Sequence, residues 1–588
     1  MTEKSKVMEC VDALPEIYQT IYGHPEYNND SSRKCAERES DILKVIKLYQ
    51  NYLGKKKLRV LDIGCAQGYY SFTLQNAGCL VDGVDYNENN IACCEALKEE
   101  NGLLCDFTHA KIDAEYIDSI EDGSYDVILI LSVIHHVCYE HGFRYARTLM
   151  EKLAKKATLV ITELALKEEP LYWNEKLPDS YTEWFANVRF FDELSFETTH
   201  LSEIIRPLLI YSDRLACYDD TFYEIKEYAM RSFDIKKNNP DRRYYLNDHT
   251  LIKLYRGSDE NVKKEMENEI LFLQKYGDKL TFVPKALFWR KNDISTVAIY
   301  RITKGVNLWD CIQRNEALNW KNIFSALLDN LVELEAEGLY HGDLRVWNVC
   351  VKDDKAFLID YGNLQNTTRD AVAEHFMNGC NISVYDAFVS LMYDCLTNET
   401  YDILKKCEVY EIKLCYDLEK IPAPYCTFFK EYLLLEQEKT TYAKVKNIFD
   451  RIVLNGEDRE FTDREETNIY KILLKRSIER SATPADVMAS YVDVMRFAEK
   501  NNIELYAKIG QAQQEVFSVM NDKNQDLQSQ ITNLLDQNNN LQNKVMILQE
   551  KNGELDNKYE AIQQRVSWLE NTFEQRVKRK IKKIVRRG

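Results

Sequence analysis

An apolar residue returns every seven positions through Leu527, Leu534, Leu541, Leu548, Leu555, Ile562 and Leu569. The partner positions, four later, are Ile531, Asn538, Val545, Asn552, Tyr559, Val566 and Phe573. A seven-residue apolar repeat held this long fits a left-handed coiled coil and does not suit a globular core. It sets the end of the chain apart as a rod. Asn524, Asn538 and Asn552 recur at alternate core layers. A buried Asn pairs best with its own counterpart, so the pattern predicts a parallel homo-oligomer. The mixed layers do not match the simple dimer preference and favour a trimer. About 55 residues at ~1.5 Å each give a rod of roughly 80 Å.

The segment after the heptads, "RVKRKIKKIVRRG", carries eight Lys or Arg and no acid, in a chain of net charge −18. Val577, Ile581, Ile584 and Val585 share one helical face. An apolar stripe among cations predicts an interfacial helix on anionic lipid, and several tails on one oligomer would add by multivalency. The acidic remainder argues against nucleic acid as a partner. No run reaches the ~18 apolar residues of a membrane span, and nothing apolar follows Met1-Thr2-Glu3-Lys4 to suggest a signal peptide. The 16 cysteines are scattered without metal-ligand spacing and read as reduced thiols.

The remaining chain is too long for one core. "LRVLDIGCAQGYYSFTLQNAGCLVDGVDYNENN" predicts a strand over 59–63, a glycine turn, a helix, and a second strand over 80–84 ending in Asp85. Gly64 and Gly68 let the backbone turn and approach a ligand. A carboxylate at Asp85 suits ribose hydroxyls. The turn lacks the Lys and Ser/Thr of a phosphate loop and lacks G-x-G-x-x-G; a dehydrogenase is the alternative. "LDIGCAQG" resembles motif I of class I S-adenosylmethionine methyltransferases. That resemblance implies Gly64, Cys65 and Gly68 at the amino-acid end of the cofactor and Asp113 on its adenine side. It places the loop after "SYDVILILSVIHHV" where donor and acceptor meet. His135 and His136 in that loop are candidate catalytic residues: a hydroxyl acceptor needs a base near neutral pH, whereas a phosphate does not.

A second chemistry follows. "HGDLRVWN" and "FLIDYG" place Asp343, Asn348 and Asp360 at the spacing of a kinase catalytic base and two Mg²⁺ ligands. Upstream, "HTLIKLYR" resembles the strand of the phosphate-binding lysine, here Lys253. Glu269 in "KKEMENEILFLQKY" is its expected partner, with Glu265 the rival on the same helical face. No glycine-rich loop precedes Lys253; Arg242 and Arg243 stand there as candidate ATP contacts. No A-P-E motif follows Asp360, so a small molecule or glycan suits this kinase better than a protein substrate.

The expected architecture is an α/β class I methyltransferase (Rossmann-like) domain, a bilobal protein-kinase-like α+β domain, then the coiled coil. The boundaries read as 1–225, 226–455, a helical linker 456–512, the coil 513–573 and the basic tail 574–588. Together with "LPEIYQTIYGHPE", "ELALKEEPLYW", "DRRYY" and "NEILFL", this order resembles the bifunctional chain-terminating enzymes of polymannose O-antigen synthesis. The resemblance implies ATP, Mg²⁺ and S-adenosylmethionine as cofactors, and Tyr18, Gln19 and Arg38 beside the methyl donor. It implies phosphorylation of the terminal sugar of a lipid-carried polymannose, then methylation of that phosphate, with the coil as a chain-length ruler. Implied partners are a membrane-associated glycosyltransferase and anionic lipids on the cytoplasmic face of the bacterial inner membrane. The alternative is a membrane-tethered glycan hydroxyl methyltransferase or scaffold with a degenerate kinase domain.

Overall fold

A computed structural model describes residues 5–199, 203–230, 241–366 apart from 293, 383–397, 416–480, 528–546 and a few isolated positions beyond 517. The chain divides into two compact units, Met1–Asn366 and Thr367–Gly588. That division falls inside the range read from sequence as one kinase domain.

The first unit opens with α1 (Lys6–Asp12) and α2 (Ala36–Leu53). A seven-stranded sheet follows: β1 (Arg59–Ile63), β2 (Leu80–Asp85), β3 (Asp106–His109), β4 (Tyr125–Leu131), β5 (Ala157–Glu163), β6 (Phe190–Glu197) and β7 (Arg206–Ser212). The strand order is β3-β2-β1-β4-β5-β7-β6. The first five strands are parallel and β7 runs against both neighbours. The helices α3 (Tyr69–Asn76), α4 (Glu88–Asn101), α5 (Ala114–Ser119), α6 (Ile134–His141) and α7 (Phe143–Lys156) lie between the parallel strands. Near-continuous burial of β4 and β5 is what a parallel sheet covered on both faces demands. The reversal of order beside β1 puts a crevice at the carboxyl ends of β1 and β4, where ligands bind in open α/β sheets.

A hairpin of β8 (Leu215–Tyr218) and β9 (Thr221–Glu224) leads into an antiparallel sheet. Its strands are β10 (Glu227–Ala229), β11 (Arg242–Leu246), β12 (Thr250–Tyr255), β13 (Lys285–Lys291) and β14 (Thr296–Arg301), in the order β10-β11-β12-β14-β13. The helix α8 (Glu260–Tyr276) connects β12 to β13, N-capped by Asp259. This sheet does not own a separate core. Tyr245, Ile252, Leu254, Val297 and Ile299 fall in one apolar cluster with Val60, Leu129, Leu159 and Phe190 of the large sheet. Arg290 donates a two-point fork to buried Asp192 at 2.9 and 2.8 Å, and Tyr245 Oη donates to the Arg189 carbonyl at 2.8 Å. Arg256 stacks on Phe191, 3.7 Å from the ring centre. The first unit ends with α9 (Leu308–Gln313), α10 (Trp320–Ala336) and the short strands β15 (Val306–Asn307), β16 (Tyr340–His341), β17 (Val349–Lys352), β18 (Lys355–Leu358) and β19 (Leu364–Gln365).

In the second unit, α11 (Val384–Thr397), α12 (Tyr425–Leu433), α13 (Tyr442–Phe449) and α14 (Asp463–Arg480) surround buried Phe388, Phe428, Phe429 and Phe449. Buried Asp386 accepts from Tyr432 Oη at 2.7 Å and pairs with Arg476 at 2.9 Å. Residues 528–546 are helical, with Ile531, Leu534, Leu541 and Val545 exposed. The basic tail 574–588 and most of the linker 456–512 beyond Arg480 lie outside the described residues. Among the described residues no helix is long and apolar enough to cross a membrane.

Candidate active sites

The first site forms where β1 turns into α3. Gly64 (φ 71°) and Gly68 (φ 78°) take left-handed conformations, and a Cβ on Gly64 would lie 2.3 Å from Val133. No other residue fits there. Asp85, at the end of β2, holds the turn: its carboxylate accepts from the Ala66 amide at 3.0 Å, the Asn87 amide at 2.8 Å and Asn90 at 3.1 Å. Cys65 is fully buried beneath. Gln19 reaches in from the N-terminal segment, its side chain accepting from the Tyr69 amide at 3.1 Å and its own amide donating to Gln67 at 2.9 Å. Tyr18 is half-buried, and its carbonyl accepts from the Arg33 amide at 2.9 Å. Asp113 N-caps α5, accepting from the Tyr116 amide at 2.9 Å.

Across the crevice lies a buried ionic lattice that only its end at Arg38 announced in the sequence. Glu163, at the tip of β5, accepts from Arg33 on one oxygen and from Arg38 (3.0 Å) and Ser132 on the other. Ser132, just past β4, adopts φ 56°, an uncommon conformation for a residue with a Cβ. Arg206, heading β7, grips Glu169 through Nε and Nη2 at 2.7 and 2.6 Å and touches Ser132 Oγ at 3.3 Å. All five charged side chains are no more than 3% exposed. Spacing cannot reveal such pairs; the one available signal is an Arg heading a strand that is otherwise wholly buried.

His135 and His136 open α6 beside this lattice. Their rings lie 4.2 Å apart and both pack on Trp173, at 4.6 and 5.4 Å. Burial, its neighbour His136 and the guanidiniums of Arg206 and Arg33 hold His135 well below the usual imidazole range. Burial and Arg206 lower His136 as well. Both rings are neutral at pH 7. Tyr172 Oη meets His136 Nδ1 at 3.2 Å.

The second site assembles on β12, α8 and the turn after β16. Lys253 Nζ donates to Glu269 at 2.7 Å and to Asp360 at 3.0 Å. Glu269, the only acid in the buried stripe of α8, also accepts from Tyr300 Oη at 2.9 Å and the Tyr361 amide at 3.1 Å. Its rival Glu265 does not meet the lysine. Burial disfavours charge on Lys253, but Asp360 and Glu269 outweigh it and raise its pKa. Lys253 in turn holds the Asp360 carboxyl below its ordinary range. Asp360 itself sits at φ 66°. Asn348 Nδ2 donates to the backbone and side-chain oxygens of Asp343, both at 2.8 Å. Burial raises the Asp343 pKa, opposed by Arg345. His341 is fixed by the Ile359 carbonyl at 3.0 Å.

Strand alternation separates the arginine pair. Directly opposed residues of an antiparallel ladder share a face. Tyr244, Lys253 and Ala298 are opposed, as are Arg242, Tyr255 and Thr296. Arg242 therefore shares the face of Lys253, and its charge reaches Asp360. Arg243 lines up with Leu254 and Val297 on the other face, toward the methyltransferase-like sheet. Of the two candidate ATP contacts, the period of two thus puts Arg242 on the face of Lys253 and Arg243 on the opposite face.

The two sites define a class I methyltransferase domain followed by a kinase-like domain. Residues 61–161 match the methyltransferase domain model and residues 215–398 match the RIO domain model. The chain is similar to the O-antigen chain terminator bifunctional methyltransferase/kinase WbdD of Escherichia coli. It is 33% identical over 377 residues, which cover 61% of this chain and 52% of that protein. The chain thus spans about half the length of the curated relatives it matches. A solved WbdD structure with its C-terminal bundle ordered superimposes with a TM-score of 0.67 at 26% identity, covering 87% of this chain and all of that one. A second WbdD structure gives 0.66 at 26% identity, covering 80% and 100%. The methyltransferase part is also 27% identical over 182 residues, 31% of this chain and 56% of the relative, to a ubiquinone biosynthesis O-methyltransferase of Rickettsia conorii.

Proposed function

We propose that this protein caps the growing end of a bacterial polysaccharide in two steps. It phosphorylates the terminal sugar with ATP and then methylates that phosphate. The carrying observation is that Lys253, Glu269, Asp343, Asn348 and Asp360 converge in the same compact unit as the glycine turn and Asp85. WbdD, the relative so described, supplies the O-antigen context; the order follows from the chemistry, since only the kinase step creates the phosphate to be methylated.

In the kinase half, Lys253 holds the nucleotide phosphates, with Glu269 fixing its direction. Asp343 orients the acceptor hydroxyl and receives its proton. Asn348 and Asp360 offer the amide and carboxylate oxygens that Mg²⁺ prefers. Arg242 is the arginine placed to help the phosphates. In the methyltransferase half, Gly64, Cys65, Gly68, Tyr18, Gln19, Arg38, Asp85 and Asp113 form the donor pocket. S-adenosylmethionine supplies an electrophilic methyl group there. A phosphate oxygen is already anionic at pH 7, so the neutral His135 and His136 need only shape and position the acceptor, and alignment does most of the work. The coil would set the distance from membrane to sites, with the basic tail on anionic lipid, the homo-oligomer multiplying that contact and a membrane-associated polymerase nearby. Polymannose is the proposed acceptor.

Intact-mass analysis of a short α-mannan incubated with enzyme, ATP, Mg²⁺ and S-adenosylmethionine, each omitted in turn, tests this reading. The expected result is a phosphate gain with ATP alone and a methyl gain only when ATP is also present. A methyl gain without ATP would replace it with a hydroxyl methyltransferase.

A further inference from the structure

Five buried charges meet beneath the methyl-transfer crevice: the guanidiniums of Arg33, Arg38 and Arg206 and the carboxylates of Glu163 and Glu169. Buried Glu197 lies opposite Arg206 in the β6–β7 ladder and brings a third carboxylate to the same face. What this lattice leaves open is hydrogen-bonding capacity, which a buried polar group must fill.

The carboxylate oxygens of the lattice are already occupied. Both Glu169 oxygens are taken by Arg206, and both Glu163 oxygens by Arg33, Arg38 and Ser132. Two buried donors and one buried ring nitrogen in this neighbourhood have no hydrogen-bond partner among the described residues: Arg33 Nη1 and Trp173 Nε1, and His135 Nδ1, which donates in its Nδ1–H tautomer. The His135 ring packs on Trp173 at 4.6 Å, and Arg33 joins them through the lattice: it pairs with Glu163, Glu163 with Ser132 and Ser132 with Arg206, whose guanidinium lies 5.9 Å from the Trp173 ring. Their gathering beside one crevice, next to exposed aromatic rings, is what suits a ligand that accepts hydrogen bonds.

A line of rings leads from this spot to solvent. Trp173 is 3% exposed, Tyr172 60% and Tyr139 39%. Trp173 and Tyr172 lie 4.7 Å apart, Tyr172 and Tyr139 4.9 Å. Two exposed aromatic rings in contact, in line with a buried aromatic, form an amphipathic platform of the sort that packs against a sugar face. A seat of open donors at the inner end and an aromatic platform at the outer end match a sugar phosphate.

We propose that Arg33, His135 and Trp173 form the seat for the anionic oxygens of a sugar phosphomonoester, and that Tyr172 and Tyr139 form the platform for the glycan carrying it. Glu163 already pairs with the Arg33 guanidinium through Nη2, and an unphosphorylated sugar would leave Nη1 without an acceptor, so the seat disfavours it by the penalty of an unpaired donor. This makes the methyltransferase site the checkpoint that enforces phosphorylation before methylation. The inference rests on the two-step capping reading and assigns its acceptor site.

The test uses the full chain and the variants Arg33→Gln and Tyr172→Ala. Three quantities are measured: methyl transfer to pre-phosphorylated α-mannan, calorimetric affinity for S-adenosylhomocysteine, and quenching of tryptophan fluorescence by inorganic phosphate and by mannose 6-phosphate. Arg33→Gln should raise the KM for phosphorylated mannan at least tenfold and abolish quenching by both phosphates. Its S-adenosylhomocysteine affinity and ATP-dependent phosphorylation should stay within twofold of wild type, which also reports a folded protein. Tyr172→Ala, at an exposed position, should raise that KM threefold or more while leaving the inorganic phosphate response intact. A tenfold loss of S-adenosylhomocysteine affinity in Arg33→Gln would overturn the proposal and give the open Arg33 Nη1 to the donor's carboxylate. Wild-type kinetics in both variants would overturn it too. If the wild-type protein methylates no phosphorylated glycan, the capping reading fails, and the phosphate quenching still decides whether the seat exists.

Discussion

The two sites differ in how openly their charges are held. Both join segments far apart in sequence: Arg33 reaches Glu163 across 130 residues, and Lys253 reaches Asp360 across 107. The kinase centre adds a local pair, Asp343 and Asn348, five residues apart. Burial differs. The Glu163 side chain is fully buried, whereas that of Asp360 is half exposed. The difference follows from the proposed chemistries. Methyl transfer asks for alignment in a dry pocket, so its charges can be locked into the protein. Phosphoryl transfer asks for carboxylates free to meet a cation and a polyphosphate, so they must stay open.

The comparison breaks if the sites cannot be disabled separately. Asp343→Ala should lower phosphorylation of mannan by about 10²–10⁴-fold, the range for removing a general base, while methylation of a pre-phosphorylated acceptor stays within twofold. Intact-mass time courses read both. A parallel loss of both activities would mean that the open site and the closed one act as a single centre.

The closed lattice should be the more fragile in stability. Glu163→Ala leaves Arg33 and Arg38 buried without their carboxylate, a change expected to cost about 3–5 kcal/mol. Urea titration followed by circular dichroism measures it. The apolar cluster shared by the two sheets means the kinase-side sheet should unfold in the same transition. A cost under about 1 kcal/mol would show that the arginines hold themselves apart from Glu163.

What the sequence disclosed divides along the same line. The glycine turn, Asp85, Lys253, Asp343, Asn348 and Asp360 were legible because each group's function sits in a few consecutive residues with fixed spacing. β1 appears over 59–63 as the apolar run predicts. Glu163, Glu169, Arg33 and Arg206 carry no such spacing; tertiary pairing alone defines them. The fusion of the two sheets was hidden for the same reason, since Asp192 and Arg290 are ordinary charged residues until they meet. Telling Arg242 from Arg243 needed the strand register, which two adjacent arginines do not reveal.

A pH measurement sharpens the contrast at the closed site. Asp62 is buried under the glycine turn, and burial pushes its carboxyl up to about 6 despite the bond from Ser71. A raised carboxyl pKa favours the protonated form in the folded state. Its penalty therefore grows as pH rises from about 4 to about 6 and is constant above. Two units correspond to about 3 kcal/mol. Asp62→Asn lacks this dependence, so its stability relative to wild type should rise by about that amount between pH 4 and pH 7. A difference that stays flat with pH would place Asp62 in the ordinary carboxylate range.

The smallest effect tests how the open site stays assembled. Glu269 receives three donors: Lys253, Tyr300 and the Tyr361 amide. Lys253 and the amide belong to the usual apparatus of a kinase centre, but Tyr300 is an extra donor from the neighbouring strand β14. Its hydroxyl holds Glu269 toward the lysine whether or not nucleotide is present. Tyr300→Phe removes one bond to a charged acceptor and leaves two, so the loss should sit near ~1.5 kcal/mol, roughly a tenfold fall in kcat/KM for ATP. With Lys253 proposed as the phosphate contact, the change should enter mainly through KM, with kcat and thermal stability less affected. If KM holds and the melting temperature falls instead, Tyr300 is core packing. If neither moves, the lysine alone positions Glu269, and the open site needs even less support from the fold than the closed one.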